Sequence, residues 1–158
     1  MFVGIDPGKK GAIAIMTEEP TIFKMPQEEN REELVNILAS IKDIGAKVII
    51  EKQITKQMIG KKPCPKCKAL IPYRYPQKGV HTSLTNYGIL IGMLISLEIP
   101  FEEVDGTKWK KYFNLEKKGK PASIKLAKQF FPELIKTIKS DDNIAEAILL
   151  AEYGRRCC

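Results

Sequence analysis

The chain has 158 residues, of which 44% are hydrophobic, and it carries a formal net charge of +7. This length and apolar content predict one globular domain over residues 1–158, and no apolar run reaches the roughly 18 residues of a membrane span. The cysteines form two close pairs, which is not the dispersed pattern of a small secreted disulfide protein. We therefore expect a cytoplasmic protein without membrane partners, and the excess of lysine indicates a phosphate-bearing ligand.

The first third of the chain predicts a β-hairpin, a helix and a buried strand. Two short apolar runs, "FVGID" and "GAIAIM", flank a "PGKK" turn, and a third strand is plausible around residues 21–24. Residues 30–45, "NREELVNILASIKDIG", combine an N-cap candidate at Asn30 with apolar positions at helical spacing. The following "AKVIIEK" predicts a buried strand whose apolar run ends at Glu51.

The remainder predicts an insert followed by further helices and one strand. Residues 56–78 contain four prolines and many basic residues without any period, which indicates an inserted loop or small lobe. Residues 83–98 are apolar nearly all round and predict a buried helix. A strand in "PFEEVDG", a helix or turn in "TKWKKYF", a helix in 121–134 and a last helix over about 141–153 complete the order. This order predicts an α/β domain with a mixed sheet.

Carboxylates occupy positions where a hydrophobic core would otherwise be expected. Asp6 and Glu51 each end a predicted strand, and Asp142 and Glu146 lie about 40° apart on one face of the last helix. Asp6 also fits an ordinary Asp-Pro-Gly turn, and Asp141 and Asp142 also fit helix capping. Carboxylates that converge on one cleft need cations, and oxygen ligands favour Mg²⁺ or Mn²⁺. Two such ions about 4 Å apart would hydrolyse a phosphodiester, so the pattern and the basic surface indicate a nuclease.

Five motifs in order resemble the RuvC-type Holliday-junction resolvases of the RNase H-like superfamily, particularly their compact phage-type branch. They are "GIDPGKKGAIAI" (4–15), "VIIEK" (48–52), "KGVHTSLTNYGILIGML" (78–94), "VDGTKWKKYF" (104–113) and "DDNIAEAILLAEYG" (141–154). The resemblance spans nearly the whole chain and implies an RNase H-like mixed sheet flanked by helices. It also implies a nucleoid-associated protein or one acting in the cytoplasm of a phage-infected host.

The resemblance implies a two-metal site in which Asp6, Glu51 and Glu146 are ligands. The helical ligand of the family commonly lies three residues before the last acid, which here is Asn143. A carboxylate binds Mg²⁺ better than an amide, so we favour Asp142, with Asn143 as the secondary and Asp141 as the third candidate. A basic residue near the scissile phosphate is implied as well. The "TKWKK" segment offers Lys110 or Lys111, for which a plain surface role is the alternative.

The resemblance further implies a homodimer that binds a four-way DNA junction and makes paired nicks. Gly88 and Gly92 on the apolar helix would permit close approach of a second helix, although packing on the sheet is an equal alternative. Further basic or polar residues are candidate DNA contacts, each with a solvated or structural alternative. These are Lys9, Lys10, Lys61, Lys62, Lys66, Lys68, Arg74, Lys78, His81 and Lys108.

The cysteines allow a structural zinc site without requiring one. Cys64 and Cys67 form a "CPKC" knuckle, but a tetrahedral site needs four ligands. Cys157 and Cys158 would complete the set within the chain or across a dimer, although adjacent cysteines strain the backbone when they chelate one ion. Reduced free thiols and a redox pair remain open alternatives.

Two other functional classes stay in consideration. "GIDPGKKGAIAI" also resembles the first phosphate loop of actin-like and sugar-kinase-like ATPases, but 158 residues lack their second lobe. ATP hydrolysis measured without DNA would identify such an enzyme. Asn143 motivates the other class, a catalytically silent DNA-binding module, which would bind a junction in Mg²⁺ without nicking it.

Overall fold

The computed structural model describes residues 1–53, 59–74 and 78–157. Part of the predicted insert and Cys158 therefore lie outside the described residues. Four of the predicted DNA contacts have described backbones only, and their side chains lie outside the description: Lys61, Arg74, Lys78 and His81.

The described residues form seven strands and six α-helices, with helices interspersed among the strands. The strands are β1 (Phe2–Asp6), β2 (Ala12–Met16), β3 (Thr21–Lys24), β4 (Lys47–Glu51), β5 (Ile59–Pro63), β6 (Leu70–Arg74) and β7 (Phe101–Val104). The helices are α1 (Arg31–Asp43), α2 (Lys78–Ser96), α3 (Gly106–Tyr112), α4 (Lys120–Phe130), α5 (Ile135–Ile138) and α6 (Asp142–Cys157).

Five strands form one mixed sheet in the order β3-β2-β1-β4-β7. β1, β2 and β3 pair antiparallel, whereas β1, β4 and β7 run parallel. This arrangement confirms the predicted α/β fold with a mixed sheet. β5 and β6 form a separate antiparallel pair inside the predicted insert, where the sequence shows no alternating period.

Alternation along the central strands divides the core into two halves, one on each face of the sheet. Val3 and Ile5 of β1 pack with buried residues of α1 and α2, as do Val48 and Ile50 of β4. Ile49 faces the opposite half, which α4 and α6 cover. Because side chains alternate along a strand, the last residues of β1 and β4 point to the α6 face.

Glycine allows α6 to lie directly on the sheet. A Cβ atom at Gly4 would lie only 1.9 Å from the carbonyl oxygen of Ala147 in α6, and one at Gly154 would lie 2.4 Å from Cγ1 of Ile49. Neither position tolerates a side chain without displacing the helix. This close contact brings the acidic first turns of α6 to the carboxyl ends of β1 and β4.

Two helix predictions need correction. α2 begins at Lys78 rather than near residue 83, and it is not buried all round, because Ile95 is 62% exposed and Gly88 and Gly92 are exposed. The apolar residues of α2 are spread around the whole helix, so its sequence does not show which side faces the sheet. Asn30 precedes α1 but its side chain makes no capping hydrogen bond, since a short 3₁₀ turn over Glu28–Asn30 leads into the helix. None of the helices in the described parts of the chain is long and apolar enough to cross a membrane.

Candidate active site

Asp6 and Glu51 lie at the ends of the neighbouring parallel strands β1 and β4. Oδ1 of Asp6 accepts a hydrogen bond of 3.1 Å from the backbone N–H of Gly8. Oε2 of Glu51 accepts one of 2.9 Å from Nε1 of Trp109, whose side chain is fully buried. A Cβ atom at Gly106 would lie 2.8 Å from Oε1 of Glu51, so this glycine leaves room for the carboxylate.

The first turns of α6 bring further acids to the same place. Oε2 of Glu146 lies 3.0 Å from Nζ of Lys110, and Oγ of Ser123 donates to Oε1 of Glu146 at 3.4 Å. The carboxylate of Asp142 forms an ion pair with Lys120. Two strand ends and one helix face thus bring together four acids from three distant parts of the sequence.

The negative charges of these carboxylates repel one another, and this affects the pKa values of Asp6 and Glu51. Burial raises the pKa of Asp6 above its ordinary value, and the charges of Glu146 and Asp142 add to this, while the Gly8 N–H and Lys110 oppose it. Burial also raises the pKa of Glu51, with smaller contributions from Glu146 and Asp6 and with Lys110 and Trp109 opposing. Lys110 therefore offsets only part of the unfavourable charge, and a further cation would be stabilised here.

The carboxylate oxygens of these residues suit a hard divalent cation, but the side chains are not arranged around one common point. Across residues 1–53, 59–74 and 78–157, no three His, Cys, Asp or Glu side chains are arranged to hold a metal ion. Protein groups engage the acids instead: the Gly8 N–H, Trp109, Lys110 and Lys120. Metal binding would require the two lysines to move aside and the oxygens to turn towards a common point.

The three candidates at the start of α6 have different surroundings. Asp141 acts as a helix cap, since its Oδ1 accepts from the backbone N–H groups of Asn143 and Ile144, and its Oδ2 pairs with Lys24 at 3.2 Å. Burial raises the pKa of Asp141, but these hydrogen bonds outweigh it and the net pKa is lowered. The amide of Asn143 also donates to Asp141, at 3.2 Å. The carboxylate of Asp142 is thus the one whose charge reaches Asp6.

Two adjoining grooves open beside the acids. The first has a volume of about 890 Å³ and is lined by Glu51, Lys110, Asp142 and Glu146 among others. The second, of about 790 Å³, shares Lys120, Asp142 and Asn143 with it. We call the second the lysine groove because five lysines line it: Lys10, Lys24, Lys120, Lys136 and Lys139.

Sequence reasoning missed four of the five lysines of this groove, as well as Trp109 and Ser123. Lys10 alone was a predicted contact. The others come from separate elements, and nothing in their local sequence signals that they meet. Trp109 could have been predicted to lie near the site, because it immediately precedes Lys110 in the motif "TKWKK".

The other predicted basic residues are distributed over several surfaces. Lys110 lies in the site, whereas Lys111 is exposed and is not among the residues lining the first groove. Lys9 in the β1–β2 turn and Lys108 in α3 are exposed. The side chains of Lys62, Lys66 and Lys68 are exposed on the β5–β6 hairpin.

The predicted cysteine set is only partly described. Cys64 and Cys67 lie in the turn between β5 and β6, and Cys157 ends α6. These three carry free thiols. Cys158 lies outside the described residues, so a four-cysteine set within one chain stays a prediction.

Comparisons with known proteins identify the fold. No protein-family model and no curated protein sequence matches the chain. Among solved structures, the chain is similar to Thermus thermophilus RuvC, with a TM-score of 0.54 and 13% identity over 98% of this chain and 95% of that one. It is also similar to T. thermophilus RuvC in complex with a Holliday junction substrate, with a TM-score of 0.50 and 11% identity over 99% and 96% of the two chains. The chain has a RuvC-like fold, as the sequence motifs implied.

Proposed function

We propose that the protein is a metal-dependent, structure-selective DNA endonuclease that resolves four-way junctions by paired nicks. One observation carries the proposal: Asp6, Glu51 and Glu146, from three separate elements, converge beside Lys110 at one edge of the sheet. Burial and mutual repulsion disfavour the charged forms of Asp6 and Glu51. A purely structural role does not require carboxylates in such unfavourable surroundings.

The acids would hold one or two Mg²⁺ or Mn²⁺ ions. Asp6, Glu51, Asp142 and Glu146 supply carboxylate oxygens, and Asn143 would add at most an amide oxygen. The bound ions would activate water and stabilise charge on the leaving oxygen, leaving 5′-phosphate and 3′-hydroxyl ends. Trp109 holds Glu51 in orientation through its indole N–H, and Ser123 does the same for Glu146.

Lys110 would change partner during this reaction. Its ammonium now lies 3.0 Å from Glu146 and also over the ring of Trp109, 4.9 Å from the ring centre. When the acids bind metal, Lys110 would be released towards the negatively charged phosphate. Lys111, exposed on the neighbouring position of α3, stays the weaker candidate for this role.

A nucleic-acid backbone is the ligand that the surface favours. The lysine groove leads directly to Asp142 and would bind a phosphate backbone through ordinary electrostatic attraction. One of the structurally similar proteins is a RuvC bound to a Holliday junction substrate, which supports the choice of a four-way junction.

Paired nicks need two sites, and α2 is the proposed contact of a homodimer. Apart from neighbouring residues and backbone of α2 itself, no described atom lies within 4 Å of a Cβ built at Gly88 or Gly92. Together with exposed Ile95 these glycines form a stripe at spacings of four and three residues, which suits another helix.

The deciding experiment incubates the protein in Mg²⁺ with a labelled four-way junction, a flap and a linear duplex. Wild type should cleave the junction selectively. Glu51→Gln and Glu146→Gln should bind but not cleave, while Glu133→Gln, at an exposed position outside the groove linings given above, should behave like wild type. Absence of cleavage by wild type, or equal cleavage by the two site variants, contradicts the proposal.

A silent DNA-binding module is the second candidate, and the ion pairs of the site favour it. Lys110 and Lys120 already pair with Glu146 and Asp142, so the site is partly neutralised without metal. Such a module would bind junctions equally well with Mg²⁺ or with chelator and would nick none. The same cleavage assay therefore separates the two candidates.

A further inference from the structure

The turn between β5 and β6 holds a preformed pair of thiols. The backbone N–H of Cys64 donates to the carbonyl of Ala69 at 2.8 Å, and the N–H of Lys68 donates to the carbonyl of Cys64 at 2.9 Å. Lys68 adopts a left-handed backbone conformation, with φ of 63°, to close the turn. These bonds fix the "CPKC" segment as a compact loop at the end of the hairpin.

Within this loop the sulfur of Cys64 is an acceptor of several hydrogen bonds. It accepts hydrogen bonds from the backbone N–H groups of Cys67 and Lys66, and the Cys67 side chain is also within hydrogen-bonding distance. Backbone N–H groups directed at the first sulfur, with the second sulfur alongside, give the arrangement that two zinc ligands from one knuckle require.

This pair offers two of the ligands that a structural zinc site would need. A structural zinc site takes four ligands in tetrahedral geometry, and no third Cys, His, Asp or Glu of the described residues joins the pair. Cys157 ends α6 and Cys158 lies outside the described residues, and two adjacent cysteines strain the backbone when they chelate one ion. A second copy of the Cys64–Cys67 pair would supply two further thiolates without this strain.

We propose that two copies of this chain share one Zn²⁺ ion, each copy contributing Cys64 and Cys67 of its hairpin. The contact is self-complementary, because each partner presents the same two thiolates.

The charges and the apolar surface around the loop suit this assembly. Zn²⁺ with four thiolates carries a net charge of −2, and Lys66 and Lys68 from both copies would place positive charge next to it. Without the metal, the same lysines would hold two hairpins apart. Leu70 is 65% exposed beside the loop, and a second hairpin would cover it. Binding replaces the remaining thiol protons, which pass to the buffer, and involves no redox step.

The stoichiometry of bound zinc tests the proposal. Full-length protein, purified under reducing conditions and dialysed against Zn²⁺, should retain one zinc ion per two chains. Replacement by Co²⁺ should give the absorption of a tetrahedral tetrathiolate centre. Tagged and untagged chains should co-purify with Zn²⁺ through this contact, and a chelator should weaken that association.

Two double variants complete the test. Cys64→Ser with Cys67→Ser should abolish zinc binding, whereas Cys157→Ser with Cys158→Ser should leave the ratio unchanged. One zinc ion per chain that is lost in the second variant would show an intrachain site and overturn the proposal. A Cys64–Cys67 disulfide with no zinc retention would overturn it as well. The wild-type ratio and the Co²⁺ spectrum decide the question even if the first variant folds poorly, and neither depends on nuclease activity.

Discussion

At the scale of single residues, the proposed function leaves one question, which side chain would share a metal ion with Glu146. Asp142 lines both grooves and its charge reaches Asp6, whereas Asp141 caps α6. Asp142→Asn should therefore reduce junction cleavage by at least about 100-fold, since a ligand supports several kcal/mol of transition-state stabilisation and about 1.4 kcal/mol is tenfold in rate. Single-turnover cleavage in Mg²⁺ measures this.

Asp141→Asn is the matched control. Asparagine caps a helix about as well as aspartate, and the ion pair with the exposed Lys24 contributes little, so cleavage should stay close to that of wild type. A large loss in Asp141→Asn together with a small loss in Asp142→Asn would reverse the assignment.

Asp6 yields a second prediction, about stability and pH. A carboxyl group whose pKa is raised on folding favours the folded state while it is protonated, and this contribution is lost as pH rises through the raised pKa. In chelator, Asp6→Asn should therefore unfold at a higher temperature than wild type near pH 7.5, with a gain of about 2–4 °C per kcal/mol recovered. The difference should shrink as pH falls and vanish below about pH 3, where the carboxyl is protonated in both states.

Mg²⁺ should reverse the order of the two proteins. Added Mg²⁺ should raise the unfolding temperature of wild type near pH 7.5 and raise that of Asp6→Asn less, because one ligand charge is missing. Thermal unfolding followed by circular dichroism provides both measurements. Wild type that is at least as stable as the variant in chelator at pH 7.5 would refute the prediction.

At the scale of secondary-structure elements, the lysine groove collects charges from distant parts of the chain. Lys136 and Lys139 come from α5 and the turn after it, and they line the groove with Lys10, Lys24 and Lys120. If DNA follows this groove, Lys136→Gln with Lys139→Gln should weaken junction binding. The slope of log affinity against log salt should fall by about two units, because each phosphate contact contributes about 0.9.

The control for this experiment removes two lysines elsewhere. Lys42 and Lys125 do not line the lysine groove, and Lys42→Gln with Lys125→Gln causes the same change in net charge. An equal loss of slope in both double variants would mean that net charge, rather than the groove, governs binding. Fluorescence anisotropy over a salt series measures both.

Elements also show how far the sequence predicts the structure. The central strands and α1 follow from apolar periodicity, and the ends of β1 and β4 follow from Asp6 and Glu51. The pair β5 and β6 does not, because proline and lysine interrupt any alternation there. The choice of Lys110 over Lys111, and the entry of Lys120 into the site, depend on where long flexible side chains end after tertiary packing. The local sequence pattern does not indicate where the end of such a side chain will lie.

At the scale of the whole molecule, the proposed paired nicking would depend on two copies acting together. Ile95 is 62% exposed on the α2 stripe, so Ile95→Lys would bury an unpaired charge in the proposed dimer contact. We expect the dissociation constant of the dimer to rise at least about 100-fold, as a cost of about 3 kcal/mol implies. Sedimentation at several concentrations measures it, in chelator so that any zinc-mediated association is absent.

Cleavage of a cruciform plasmid measures how loss of the dimer would affect paired nicking. Coupled nicks on both sides of a cruciform linearise the plasmid, whereas a single nick yields a nicked circle, so Ile95→Lys should shift the products from linear to nicked DNA. Val35→Lys, at an exposed apolar position of α1 that is 42% exposed, should leave both the dimer and the products unchanged. If Ile95→Lys stays dimeric and still linearises the plasmid, the α2 stripe is not the dimer contact. The proposed pairing of two active sites would then require another surface of the molecule.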